Sequence, residues 1–271
     1  MVESHSFQAP YSAMVHDMVV TENYLLFPVM PITGDLGRAM EGKPPFAWEP
    51  ERPTMVGVMP RGGTPEKMRW IEGDACYVFH FANGRDKDGV ITVEACHFDS
   101  PPLFPMADGT PTPANIHPYL ARWTIDLNQD NPRVQMEQLA DHGAEFPVID
   151  RRFATRDYQH TWYTSSDRSI PARIPDSDVV YNAIVRFDVK NHVADSYAFP
   201  SGYVAEPMFV PRSADAPEGE GWVLSTVYDI NTNTSALCVF NALDIAAGPI
   251  GKAWVSHRVP VSFHGTWRQA G

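Results

Sequence analysis

Residues 75–98 read ACYVFHFANGRDKDGVITVEACHF. Two runs rich in Val, Ile, Tyr and Phe flank the tetrapeptide DKDG. Asp and Gly tolerate the positive φ angles that a two-residue hairpin turn requires, so the stretch is expected to fold as antiparallel strands over 75–84 and 90–98. The same punctuation recurs along the chain. Strands are expected over 18–30, 54–60, 121–127, 179–188, 207–211, 221–230, 235–243 and 251–257, with NTNT and AAGP separating the last three. In ARWTIDL (121–127), Ala, Trp, Ile and Leu fall on one parity and Arg, Thr and Asp on the other. The segment QMEQLADH (135–142) carries no such alternation and reads at most as a turn or two of helix. SADAPEGEG (213–221) reads as an exposed loop. No long helical stripe, linker or low-complexity tract interrupts the pattern, so a single all-β domain over 1–271 is expected. A succession of meandering strands suits either a β-propeller or a β-sandwich. With roughly 40–60 residues per four-stranded blade, the chain has room for about four or five blades.

The 271 residues are 44% hydrophobic and 20% charged, as in an ordinary globular protein. A formal net charge of -12, from 33 acidic and 21 basic side chains, argues against a nucleic-acid partner, which needs clustered Lys and Arg. The longest apolar runs fall well short of the roughly 20 residues of a membrane-spanning helix. The N-terminal MVESHSFQAP lacks the apolar segment of a signal peptide. Cys76, Cys96 and Cys238 are odd in number and without CxxC spacing, which reads as reduced core thiols in a cytoplasmic protein.

Ten histidines pose the functional question. His5, His142, His160 and His192 sit among polar residues, and His117 and His257 in turns or at strand ends. His97 suits a core position or a cavity wall. His16 (MVHDMV), His80 (YVFHFAN) and His264 (SFHGTW) stand instead in apolar or aromatic settings. A buried imidazole must satisfy both ring nitrogens, either with protein partners or with a metal on one and a hydrogen-bond acceptor on the other. Taken singly, each reads as a hydrogen-bonded core histidine. Three such settings far apart in sequence are also what a metal site inside a closed β-structure requires, although the short-range spacings HExxH and CxxC are absent. Glu145 (GAEFPVID) and Glu206 (VAEPMFVPR) precede apolar strands. They read as loop-edge charges, or as acceptors that fix the tautomer of a ligand histidine.

Five segments in order resemble the carotenoid cleavage oxygenase family: MVHDMVVTENY, YVFHFANGRD, EFPVID, EPMFVPR and VPVSFHGTW. The stretch FPVMP…FAWEPERPTMVGVMPRGG is more similar to the bacterial lignostilbene dioxygenase branch than to the retinoid or plant branches. The resemblance implies a seven-bladed β-propeller with an axial non-haem Fe(2+) held by four histidines. Three of these map to His16, His80 and His264, and two supporting glutamates map to Glu145 and Glu206. The family's first ligand histidine, a further glutamate and the first two or three blades precede the position matching Met1, so the chain is expected to hold the C-terminal blades. Gly84 stands where the family usually has Ala, a change expected to be tolerated, and Ser262 replaces a common Gly.

The activity implied is cleavage of the interphenyl C=C bond of a stilbenoid by dioxygen, giving two aldehydes, with Phe104 or Phe81 packing on the aromatic substrate. Two other readings stay open: a carotenoid or apocarotenoid cleaver with the same iron chemistry, and an inactive fragment lacking the first histidine. A homo-oligomer is a further expectation, because an incomplete ring leaves open strand edges. Gly265 is expected to permit close backbone approach beside His264, and Trp267 to anchor the terminus.

Overall fold

The computed structural model describes residues 4–112, 117–170, 181–260 and 262–268. The chain divides into two compact units, Met1–Gln138 and Leu139–Gly271.

In the first unit, one sheet orders its strands Val19–Val20, Tyr24–Val29, Thr54–Pro60 and Arg69–Gly73, every neighbour antiparallel. Pro28 is accommodated because Val19 and Val20 pair only with Leu26 and Leu25. The short edge strand ends before it would need the missing N–H. The excursion between the second and third strands carries a two-stranded ribbon, Ile32–Gly34 with Phe46–Trp48, and a short helix, Leu36–Met40.

The second sheet orders Tyr77–Lys87, Val90–Phe98, Tyr119–Asp126 and Gln135–Gly143 from one edge to the other. The hairpin expected at DKDG is present: Lys87 pairs with Val90, and the two turn residues, Asp88 and Gly89, have φ of 51° and 81°. Ala121, Trp123 and Ile125 are buried while Arg122, Thr124 and Asp126 are half-buried, as the alternation implies. Tyr77, Ile91, Val93 and Trp123 join Leu26, Met30, Ile32 and Val56 in one apolar core. Burying each such large side chain contributes about 1.5–3 kcal/mol.

In the second unit, Glu145–Ile149, His160–Ser165, Ala183–Asp188 and Val193–Ala198 form an antiparallel meander. Of the strand expected over 179–188, residues 179 and 180 lie outside the described residues. The last sheet orders Gly202–Val204, Gly221–Asp229, Thr234–Asn241 and Gly251–Trp254, with Met208–Pro211 also paired to the second of these. Trp162, Phe199, Val223 and Phe240 lie at its core. The Trp162 indole N–H donates to the Ala242 carbonyl at 2.8 Å, and its ring stacks on Phe209 at 4.6 Å.

Among the described residues there are thus four meandering sheets of blade size, in agreement with the expected number. Residues 135–143 correct the helical reading of QMEQLADH: they form an outer strand. Gln135–Gln138 are exposed, so the apolar alternation that would mark a strand is not required there. Cys76, Cys96 and Cys238 are free and buried.

Candidate functional site

In the first unit the local geometry is set by bulges in strand Tyr77–Lys87. Val78 pairs with His97, Phe81 with Ala95 and Asn83 with Glu94, so one extra residue is inserted between 78 and 81 and another between 81 and 83. A bulge bends the strand, frees backbone groups from the ladder and re-aims a side chain. The re-aimed residue is His80. Two consecutive side chains from the segment before Val19 bond the bulged backbone. His16 Nδ1 bonds the Phe79 carbonyl at 2.9 Å, and the Phe81 N–H donates to Asp17 Oδ2 at 3.1 Å. Asp17 Oδ1 accepts the N–H of Met18 at 2.7 Å.

The carbonyl can only accept, so His16 Nδ1 carries the proton and the neutral ring keeps its lone pair on Nε2. The His16 and His80 ring centroids lie 5.1 Å apart with the planes at 88°. Upstream, the Tyr11 hydroxyl bonds the Val29 carbonyl, and Met14 N–H donates to Ile32 O at 2.9 Å, anchoring the chain that carries His16.

In the second unit Glu206 lies between strands Gly202–Val204 and Met208–Pro211. Its Oε1 is 3.2 Å from His264 Nδ1 and its Oε2 accepts the Gly265 N–H at 2.7 Å. A carboxylate acceptor at Nδ1 again leaves the lone pair on Nε2. Gly265 meets the carboxylate through its backbone, and a β-carbon there would lie 3.0 Å from Met208 Sδ. Trp267 is exposed and lines a cleft of about 170 Å³ with Arg151 and Met208.

Glu145 is buried, and its Oε2 accepts the Phe146 N–H at 2.7 Å. Here too the strand is bulged, between Glu145 and Val148, and Phe146 takes a φ of 54°, strained for a residue with a side chain. The Phe146 ring meets His264 edge-on at 5.7 Å. Sequence reasoning missed the parts played by Asp17 and Phe146. The signals available were the His-Asp dipeptide and the proline of EFP, which in a strand marks an edge or a bulge.

The histidines also differ from their expected environment. His16 and His264 are exposed and His80 is half-buried, whereas their apolar and aromatic sequence settings suggested burial. Phe81 packs edge-on against Trp123 at 5.4 Å, and both Phe81 and Phe104 pack on the first unit's core. His97 is a core histidine. It is buried, accepts the Trp123 indole N–H at 3.4 Å through Nδ1, and is held down to about 4 by burial, against the opposing pull of Asp99.

The described residues bring His16 together with His80, and His264 with Glu206. Among them, no group of three or more His, Cys, Asp or Glu side chains is gathered as a metal site. The donor chemistry nonetheless fits a divalent iron. On His16 and His264 a hydrogen-bond acceptor at Nδ1 leaves the Nε2 lone pair directed away from that bond, and neutral imidazole nitrogen is a ligand that suits such an ion.

Four antiparallel sheets of blade size in a nearly all-β chain define a β-propeller scaffold of the carotenoid oxygenase kind. The Retinal pigment epithelial membrane protein (RPE65) family matches residues 1–269, and the chain belongs to this carotenoid oxygenase family. It is 35% identical over 269 residues to isoeugenol monooxygenase of Pseudomonas putida, a match covering 97% of this chain and 56% of that protein. It is 34% identical over 280 residues to lignostilbene-alpha,beta-dioxygenase isozyme III of Sphingomonas paucimobilis, again covering 97% and 56%. The crystal structure of Pseudomonas brassicacearum lignostilbene dioxygenase superposes with a TM-score of 0.91 at 35% identity, covering 97% of this chain and 56% of that one. The chain therefore spans just over half the length of these relatives. No helix among the described residues is long and apolar enough to cross a membrane.

Proposed function

We infer that the chain carries part of the iron site of an alkene-cleaving dioxygenase acting on a stilbene-type substrate. In this reading His16, His80 and His264 are iron ligands through Nε2, while the Phe79 carbonyl and Glu206 hold the tautomers of His16 and His264. Bound Fe(2+) would supply the activation of dioxygen toward an electron-rich C=C bond, which is split to two aldehydes without an external reductant.

The chain's own residues prepare that chemistry. The bulge at Phe79–His80 turns His80 toward His16, and Asp17 fixes the bulge. Glu206 grips both the ring of His264 and the backbone of Gly265, so the ligand is held from two sides. Phe146 covers one edge of the His264 ring. Glu145, buried at the start of the same bulge, bonds the Phe146 N–H and so supports that contact. Phe104, or else Phe81, would pack on the aromatic ring of the substrate; Phe81 also meets Trp123 edge-on. Both phenylalanines are partly buried and pack on the first unit's core.

The carrying observation is the His16–His80 pair with His16 Nδ1 committed to Phe79 O. Likeness to a lignostilbene dioxygenase over nearly the whole chain favours a stilbenoid as the substrate class. The test is incubation of the Fe(2+)-loaded protein with a 4-hydroxystilbene and, separately, with an apocarotenal. Aromatic aldehydes from the stilbene support the reading; cleavage of the apocarotenal alone, or of neither, contradicts it.

A further inference from the structure

Asp17 joins two stretches of chain that carry different histidines. Upstream, Met14 N–H bonds Ile32 O, and the Ser12 carbonyl accepts the Gly34 N–H at 3.2 Å. Downstream, Val19 enters the sheet opposite Leu26. Between these anchors the segment 15–18 meets strand Tyr77–Lys87 through the contacts of His16 and Asp17 with the bulge. One carboxylate accepts two backbone N–H groups: Met18 on its own segment and Phe81 next to His80. A carboxylate suits this place because both oxygens only accept, and its bonds to backbone N–H are strengthened by charge. An amide of the same shape would offer one acceptor and turn an NH₂ group toward the second N–H.

We propose that Asp17 is a positioning residue: it holds the bulge so that the Phe79 carbonyl stays on His16 Nδ1 and the His16 lone pair stays on Nε2, beside His80. Its consequence for metal affinity rests on the iron reading above; its effect on the tautomer does not.

The experiment uses the full chain, metal-free and labelled with ¹⁵N-histidine, and reads ring tautomers by long-range ¹H–¹⁵N correlation. The His16 signals are assigned by their loss in His16→Gln. In the unsubstituted protein His16 is expected as the Nδ1–H tautomer. In Asp17→Ala it is expected to shift to the Nε2–H form that free imidazole side chains favour, and in the isosteric Asp17→Asn to a mixture. The Asn variant keeps the test decisive if the Ala variant does not fold. Cobalt(II) titration followed by visible absorption is then expected to show affinity about ten- to a hundredfold weaker for Asp17→Ala and less weakened for Asp17→Asn. A purely structural role would lower thermal stability while leaving the tautomer of the folded protein as it was. His16 remaining wholly Nδ1–H in both variants overturns the proposal. A tautomer shift in a protein that takes up no cobalt upholds the positioning role and overturns the iron reading instead.

Discussion

Gly84 lies so close to Val19 that a β-carbon at position 84 would overlap Val19 Cγ1, with Thr21 Cγ2 at 3.3 Å and the Val20 carbonyl at 3.4 Å. The contact locks the segment bearing His16 onto the strand bearing His80. A side chain at position 84 has no room, because Val19 occupies the space.

Gly84→Ala is therefore expected to destabilise the protein by about 1–3 kcal/mol through overpacking. Val19→Ala removes the obstructing methyl groups, so the double variant should be less destabilised than the sum of the two single changes. Urea unfolding of the four proteins measures the coupling; strict additivity would contradict the packing assigned here.

Glu94 is fully buried between two guanidinium groups. Arg85 donates to it at 2.7 and 3.1 Å, and Arg122 Nε at 2.8 Å. Removing the carboxylate alone leaves both cations facing each other with little solvent. Glu94→Ala is expected to cost about 3 kcal/mol or more. Replacing all three residues with apolar side chains of similar volume should cost much less, and denaturation midpoints distinguish the two.

His97 makes stability depend on pH. Burial holds its folded-state pKa down to about 4, whereas an unfolded histidine titrates near about 6.5. Between these values the unfolded chain binds a proton that the folded chain refuses. Stability contributed by neutral His97 is thus present above about pH 6.5 and is lost as pH falls toward 4, by up to about 3 kcal/mol. His97→Gln should show a smaller loss between pH 7 and pH 4.5 in urea unfolding, its side-chain oxygen still able to accept from Trp123. An undiminished loss would assign the pH dependence to other groups.

Glu206 is expected to affect His264 more than it affects the fold. Glu206→Gln retains the volume but leaves one acceptor for two donors, His264 Nδ1–H and the Gly265 N–H. Iron affinity should fall about ten- to a hundredfold, with the thermal midpoint little changed. Unaltered affinity would remove Glu206 from the site.

Much of the fold was legible because turn chemistry and alternation coincide. The strands expected over 54–60 and 90–98 match those observed, and Asp88–Gly89 forms the expected turn. Strands without alternation were not legible. His160–Ser165 is buried at all six positions yet carries His, Thr and Ser, so neither face announces itself. Gln135–Gly143 fails in the opposite way, since its first residues face solvent. For the proposed site, His16, His80 and His264 could be singled out, but their surroundings could not. The bulge that turns His80 depends on a register with the neighbouring strand that no local pattern encodes, and the apolar neighbours of His16 and His264 in sequence do not bury them.

Iron binding by the three histidines is the central claim, and metal content measures it most directly. The full chain and its His16→Ala, His80→Ala and His264→Ala variants would be loaded anaerobically with Fe(2+), desalted and analysed for iron by atomic emission, with circular dichroism reporting the fold. Stoichiometric iron in the unsubstituted chain and its loss from each folded variant is the expected result. No uptake by the unsubstituted chain, or iron retained in all three variants, would contradict it.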